Sequence, residues 1–212
     1  MNVIIVGTSS TILEKKNGHV IDEFDYVARS VSSAPYTGYE EYTGTKTNLY
    51  WSKFQFLYRL RFLKTPFNGT LFLLNPDPDN FYEGYVPQNA ISTRYKRLMF
   101  DLWVKEFIKV HKVTSIVYQD TTHISLLHKY AGFRQQSGLQ TLQPVYSSAG
   151  LRVIQYFIDQ NKFDKIYVTG FSFFDKGTYF DIANNHIVHE HCYYKEKLYY
   201  KRLIAKGLIH EL

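Results

Sequence analysis

The sequence predicts an α/β fold, a single Rossmann-like domain with a mainly parallel sheet flanked by helices. Short apolar runs alternate with segments of helical spacing along the chain, which is the pattern of such a domain. Its 212 residues suit one domain with one core (1–212), and no repeat or long linker divides them. A hydrophobic fraction of 45% is ordinary for a globular protein, so disorder is not expected.

Apolar runs and helical spacing place the individual elements. The runs predict strands over residues 3–6, 26–29, 48–51, 70–74, 115–118 and 165–169. Helical spacing predicts helices over 53–63, 94–111, 124–130, from Ser147 or Ser148 through 157, and from about 191 to 206. The segment 82–93 lacks periodicity and is expected to be a lid or binding loop.

Charge and aromatic content restrict the class of partner. The net charge is +6 and the isoelectric point is near 9.1, which favours polyanions such as nucleic acid, anionic lipid or phosphorylated glycans. A charge of this size is also compatible with solubility alone. The aromatic fraction is 17%, with 19 Tyr and 16 Phe, so some rings are expected to line a ligand cleft.

The cysteine content and the hydropathy pattern indicate the cellular compartment. Cys192 is the single cysteine, which excludes an intramolecular disulfide and favours a reducing compartment. The first ten residues predict a strand instead of a signal peptide, and no apolar stretch approaches the ~20 residues of a membrane span. We therefore expect a cytoplasmic protein without a transmembrane anchor, in the host cytoplasm if it is viral.

Two segments have the features of a phosphate site. Gly7, Thr8, Ser9 and Ser10 follow the first strand, where glycine lets the backbone approach a ligand and a following helix offers unpaired N–H groups. The segment from Ser147 through Ser148, Ala149 and Gly150 places two hydroxyls before a helix that opens with small residues. A simple tight turn in the first case, and plain N-capping in the second, are the alternatives.

Two further segments supply candidate catalytic groups. Gly170 and Phe171 follow the strand 165–169, at the strand end where open α/β sheets bind ligands, and Tyr179 lies downstream as a donor to a departing phosphate. His186, His189 and His191 do not have the spacing of a zinc site, so one of them as a general base is the simpler role.

Glu196 lies five residues after His191 and is expected to orient the start of the last helix. Asp77 and Asp79 follow a strand as a metal-binding Asp-x-Asp does, although the two prolines and two asparagines of this segment favour a plain turn. The segment 50–62 interleaves aromatics with cations, which fits either a nucleic-acid surface or a packed helix with snorkelling Arg and Lys.

Taken in order, these segments resemble the sialyltransferase families. Residues 3–10 and 21–29, ending in Arg29, are similar to the first long motif of those families, and 44–48, ending in Asn48, continue it. Residues 147–150 with 166–171 resemble their second, donor-binding motif. His191-x4-Glu196 matches their short final motif, whose His is the catalytic base.

The sequence departs from the family pattern at several positions. Those families place Asn after the first glycine and after the Arg, where this chain has Thr8 and Ser30. Bacterial members use two tyrosines near the third motif; Tyr179 matches one, and Phe174 stands at the other position. The cysteines that link the two large motifs of animal enzymes are missing.

The resemblance implies an inverting glycosyltransferase that needs no metal and no cofactor, with a nucleotide sugar (a CMP-sugar in those families) as substrate. His191 would take the proton of the acceptor hydroxyl, and Tyr179 would stabilise the leaving phosphate. The residues that would bind the donor are Gly7, Thr8, Ser9, Ser10, Arg29, Asn48, Ser147, Ser148, Ala149, Gly150, Gly170 and Phe171.

The acceptor is left open between two classes. A glycan is the family default, whereas a small, basic, aromatic-rich protein also fits a phage enzyme that glycosylates hydroxymethylated pyrimidines in DNA. Acceptor contacts are expected from Trp51, Lys53, Arg94, Lys96 and Arg97. A non-catalytic nucleotide- or nucleic-acid-binding α/β module is the alternative from another functional class.

Overall fold

A computed structural model describes residues 1–31, 38–53, 67–74, 102, 105, 109, 111–118, 148–173 and 193–212. Within these residues the strands are β1 Asn2–Val6, β2 Tyr26–Ser30, β3 Leu49–Lys53, β4 Asn68–Leu74, β5 Lys112–Tyr118, β6 Lys165–Thr169 and β7 His210–Glu211. A 3-10 helix covers Ser10–Glu14, and the α-helices are α1 Gly18–Glu23, α2 Glu40–Thr43, α3 Ala149–Gln160 and α4 Tyr193–Ala205.

The strands form one parallel sheet, which confirms the predicted α/β fold. In the part of the chain described, its seven strands lie in the order β5-β4-β3-β2-β1-β6-β7, and every neighbouring pair is parallel. The chain moves outward from β1 to β5 on one side and continues with β6 and β7 on the other. The order therefore reverses between β1 and β6, and such a switch point is where open α/β sheets bind ligands.

The six predicted strands are all present, with ends displaced by at most three residues. β7, α1 and α2 were not predicted, because elements of two to six residues are too short to show a period. Residues 102, 105 and 109 are helical within the predicted helix 94–111. The predicted helix 124–130 and the predicted loop 82–93 lie outside the described residues. Of the predicted helix 53–63, only Lys53 is described, and it is the last residue of β3.

Side chains of β1 alternate between two apolar cores. Val3 and Ile5 pack with α3 and α4 on one face of the sheet, while Ile4 and Val6 pack with α1 and the 3-10 helix on the other. All four side chains are completely buried. Full burial of an aliphatic side chain contributes ~1.5–3 kcal/mol, so β1 is held firmly from both faces.

The carboxylate of Asp22 on α1 anchors the loop that leads into β3. It accepts hydrogen bonds from the backbone N–H of Thr45 (2.9 Å) and of Lys46 (2.8 Å), and from the Thr45 hydroxyl (3.0 Å). Gly44 has φ +68°, and a Cβ there would lie 2.3 Å from Asp22 Oδ1. The close approach of loop and carboxylate therefore requires glycine at this position.

Replacing Asp22 by Ala is expected to lower the free energy of unfolding by about 2–3 kcal/mol, because the substitution removes several hydrogen bonds to a charged acceptor. Urea denaturation measures the effect. Glu23→Ala, at the exposed neighbouring position of the same helix, is the control and should change stability by less than about 0.5 kcal/mol. Equal losses in the two variants would contradict the anchoring role.

Candidate functional site

The backbones of Gly7 and Gly170 touch where β1 and β6 end. The N–H of Gly7 donates to the carbonyl of Thr169 (2.8 Å), and the N–H of Ser9 donates to the carbonyl of Gly170 (2.9 Å). A Cβ on Gly7 would lie 2.3 Å from the Gly170 carbonyl oxygen. Gly170 itself has φ +72°, in the left-handed region that favours glycine. Two glycines thus form the floor of the switch-point crevice.

The loop after β1 turns into a short 3-10 helix instead of the expected α-helix. The Ser9 hydroxyl caps it by accepting from the N–H of Thr11 (3.3 Å), and the Thr11 hydroxyl bonds to the same oxygen (3.1 Å). Ser9 is buried, whereas Thr8 and Ser10 are half-buried. Thr8 and Ser10 are therefore the hydroxyls of this loop that remain accessible to a ligand.

Ser148 caps α3, as its predicted N-capping role requires. Its hydroxyl accepts from the N–H of Leu151 (3.3 Å), while its own backbone N–H donates to Glu196 Oε1 (2.6 Å). Glu196 lies in the first turn of α4 and is completely buried. Glu196 was expected to orient the start of its own helix; the structure shows that it holds the start of α3 through one charge-assisted hydrogen bond.

The ring of Phe171 lies between the glycines of two predicted donor-binding segments. A Cβ on Gly150 would lie 2.6 Å from Phe171 Cε1, and a Cβ on Gly7 would lie 3.1 Å from Phe171 Cδ2. The loop after β1, the start of α3 and the loop after β6 therefore meet at one aromatic ring. This convergence of Gly7, Gly150, Gly170 and Phe171 is the main geometric result for the predicted site.

A buried tyrosine supports the loop after β6, a role that no sequence motif indicated. The Tyr200 hydroxyl donates to Glu211 Oε1 (2.9 Å), and the ring of Phe173 contacts the Tyr200 ring edge-on at 4.8 Å. Burial, with the nearby Glu211 charge, raises the pKa of Tyr200 well above its usual range. Phe173 has φ +51°, a strained conformation for a bulky residue, of the kind that clusters at functional sites.

A cavity of about 280 Å³ opens beside this loop. Gly170 and Phe171 line it from the loop after β6, and Tyr200 lines it from α4. Thr11 of the 3-10 helix and Asn17, directly before α1, line the other side. The cavity has the size of a small ligand or of one part of a larger one. It therefore extends the crevice along the carboxyl edge of the sheet.

Arg29 and Asn48, both predicted to bind the donor, contact the protein framework in the structure. The Arg29 side chain is completely buried; its Nε donates to the Lys46 carbonyl (2.9 Å) and its Nη2 lies 3.7 Å from Asp22 Oδ1. Asn48 precedes β3, and its side-chain oxygen accepts from the N–H of Val27 at the start of β2 (2.8 Å). Asn48 thus lies at the amino edge of the sheet, roughly 15 Å from the carboxyl edge. Both residues hold the framework.

Trp51, predicted to contact the acceptor, has a buried side chain. Its side chain is 5% exposed and packs in the core between the sheet and α3, because alternate residues of β3 face opposite sides. Lys53 ends β3 at the carboxyl edge, and its side chain lies outside the described residues. The other predicted site residues that lie outside the described residues are Asp77, Asp79, Arg94, Lys96, Arg97, Ser147, Tyr179 and His191.

The part of the chain that the structure describes shows neither a metal-ligand cluster nor a membrane-spanning helix. No cluster of three or more His, Cys, Asp or Glu side chains with metal-binding geometry occurs among those residues. None of the helices described is both long enough and apolar enough to cross a bilayer.

Gly7→Ala is expected to lower the free energy of unfolding by about 1–3 kcal/mol, because the new methyl group would meet the rigid backbone of Gly170. Gly150→Ala adds the same methyl group but meets the ring of Phe171, which can turn, and alanine favours the helix. Denaturation should therefore show a smaller loss for Gly150→Ala. A larger loss for Gly150→Ala than for Gly7→Ala would contradict the proposed floor.

The fold and the sequence are both similar to known sialyltransferases. A mammalian sialyltransferase solved in complex with Gal-beta-1-3GalNAc-ortho-nitrophenol matches with a TM-score of 0.65 and 17% identity, over 100% of this chain and 68% of that chain. A second mammalian sialyltransferase structure matches with the same score and coverage at 18% identity. No curated protein sequence matches. The family model of glycosyltransferase family 29 (sialyltransferase) matches residues 2–208, and the chain therefore belongs to this family.

Proposed function

We propose that this chain transfers a sugar from a nucleotide-sugar donor to a hydroxyl of a glycan, with inversion and without a metal or cofactor. One observation carries the proposal. Segments that are far apart in sequence and resemble the donor-binding motifs of the family meet around Phe171 at the switch point of the sheet. The family membership supplies the transferase class, and the crevice supplies a place for the nucleotide.

The start of α3 is the part of the crevice best suited to the donor phosphate. The first N–H groups of an α-helix have no partner within the helix, so Ala149 and Gly150 can donate to an anion. Glu196 occupies the N–H of Ser148 only. The half-buried hydroxyls of Thr8 and Ser10 offer further donors across the crevice.

The reacting groups are assigned by resemblance to the family motifs. The acceptor oxygen attacks the anomeric carbon of the donor sugar, the bond from that carbon to the phosphate oxygen breaks, and the nucleotide leaves with the bonding electrons. His191 takes the proton of the attacking hydroxyl. A hydrogen bond from Tyr179 to the departing phosphate offsets its negative charge, which removes the need for a metal.

The contact between α4 and α3 supports a functional role for His191. His191 precedes the first residue of α4 by two positions, and Glu196 of the same motif is bonded to Ser148 of the donor-binding segment. The final motif is therefore tied to the start of α3, where the phosphate is proposed to bind. Glu196 acts in this account as a positioning residue.

A glycan is the better-supported acceptor. One of the similar structures holds a disaccharide glycoside, and the resemblance to the sialyltransferase families implies a glycan. Of the residues expected to contact flipped DNA bases, Trp51 lies in the core and does not present its ring to an acceptor. DNA with hydroxymethylated pyrimidines stays the alternative acceptor to be tested beside glycans.

Nucleotide sugars should stabilise the purified protein and be turned over slowly. We expect one CMP-sugar to raise the melting temperature and to be hydrolysed or transferred at the same rate with and without EDTA. His191→Ala should lower turnover by about 10²–10⁴-fold with the thermal shift retained, because only the base is lost. His189→Ala, two residues away on the same segment, is the matched control and should retain turnover.

Each alternative has its own outcome in this assay. Loss of turnover with EDTA would assign a metal and direct attention to Asp77 and Asp79. Normal turnover by His191→Ala would remove the proposed base. No response to any nucleotide sugar would favour the non-catalytic nucleotide-binding module.

A further inference from the structure

The solvent face of α4 combines apolar side chains with cations. Tyr194 is 73% exposed and Leu198 is 39% exposed, and residues four apart lie on the same face of a helix. Ala205 is exposed further along, and at 100° per residue it lies between Tyr194 and Leu198 around the helix axis. These three residues form an exposed apolar stripe, defined here as Tyr194, Leu198 and Ala205.

Cations flank this stripe on both sides. Lys201 lies on one side of it, while Lys195 and Arg202 lie on the other, and all three are exposed. The helix contains one acidic residue, Glu196, which is completely buried on the opposite face. The exposed face of α4 thus has positive charge on both flanks and no carboxylate of its own.

We propose that the solvent face of α4 docks this protein onto the surface of an anionic lipid bilayer. An interfacial helix places its apolar residues at the level of the head groups, while long Lys and Arg side chains reach lipid phosphates on either side. With 13 residues, α4 is too short to span a bilayer and would lie along the surface. This docking goes beyond the proposed transfer reaction and does not depend on it.

The apolar stripe favours a bilayer over a nucleic acid as the partner. Phosphate backbones reward cations and stacking rings, so Lys201, Arg202 and Tyr194 would suit either partner. An aliphatic side chain such as Leu198 contributes nothing to a phosphate contact. Its burial in the head-group region removes apolar surface from water and therefore stabilises membrane binding. The stripe with its cationic flanks therefore complements lipid in both polarity and charge.

Vesicle co-sedimentation of the purified full chain tests the docking. The wild-type protein should bind vesicles of mixed phosphatidylcholine and phosphatidylglycerol, and bind phosphatidylcholine alone much more weakly, at about 0.1 M salt. Each cation near an anionic surface changes the partition coefficient about fivefold. Lys201→Glu with Arg202→Glu should therefore weaken binding by at least roughly 20-fold.

Matched variants separate the stripe from bulk charge. Lys162→Glu with Lys165→Glu makes the same change in net charge at exposed positions of the amino edge, and should stay within about twofold of wild type. Leu198→Ser leaves the charge unchanged, yet should weaken vesicle binding several-fold because the aliphatic contact is lost. Melting temperatures close to that of the wild type verify folding, and Leu198→Gln replaces Leu198→Ser if the latter unfolds.

Three results would overturn the proposal. They are absence of binding to the anionic vesicles, an equal loss in the amino-edge control, and vesicle binding that the Leu198 variants leave unchanged. Salt-sensitive binding of duplex DNA that is lost in Lys201→Glu with Arg202→Glu, together with unchanged vesicle binding by the Leu198 variants, would assign the face to nucleic acid instead.

Discussion

The site depends on the close backbone contact between Gly7 and Gly170. β1 and β6 are neighbours in the sheet although their sequences lie far apart, and the carbonyl of Gly170 occupies the space where a side chain at position 7 would be. Because the floor has no side chains at these two positions, the Phe171 ring can lie against both Gly7 and Gly150. A side chain on the floor would separate the loops that form the proposed nucleotide crevice.

A buried carboxylate adds the second constraint. Glu196 joins the last helix to the start of α3 by accepting from the Ser148 N–H, and burial makes such a charge-assisted bond costly to break. The bond fixes where α3 begins, and therefore where the N–H groups of Ala149 and Gly150 point. The same bond joins the first turn of α4 to the start of α3.

The sequence predicted the secondary-structure elements well, but it was less informative about the edge or face of the sheet at which a given residue lies. β1 to β6 contain short apolar runs, and a serine before an apolar period marks a cap, so these features were predictable. Asn48 and Arg29 belong to a recognisable motif, but motif membership does not show that Asn48 lies at the amino edge of the sheet or that the Arg29 side chain is buried. The side chains of β3 alternate between the two faces of the sheet, and this alternation alone does not show that the Trp51 ring is buried. The bond from Glu196 to Ser148 spans 48 residues, beyond any local pattern.

Titration of the isotope-labelled protein with CMP, followed by amide NMR shifts, tests the crevice most directly. If the switch point holds the nucleotide, the amides of Thr8, Ala149, Gly150 and Phe171 should move together and saturate at one affinity. Amides at the amino edge, such as that of Asn48, should stay in place. Shifts confined to the amino edge, or no saturable shift at the start of α3, would contradict the account.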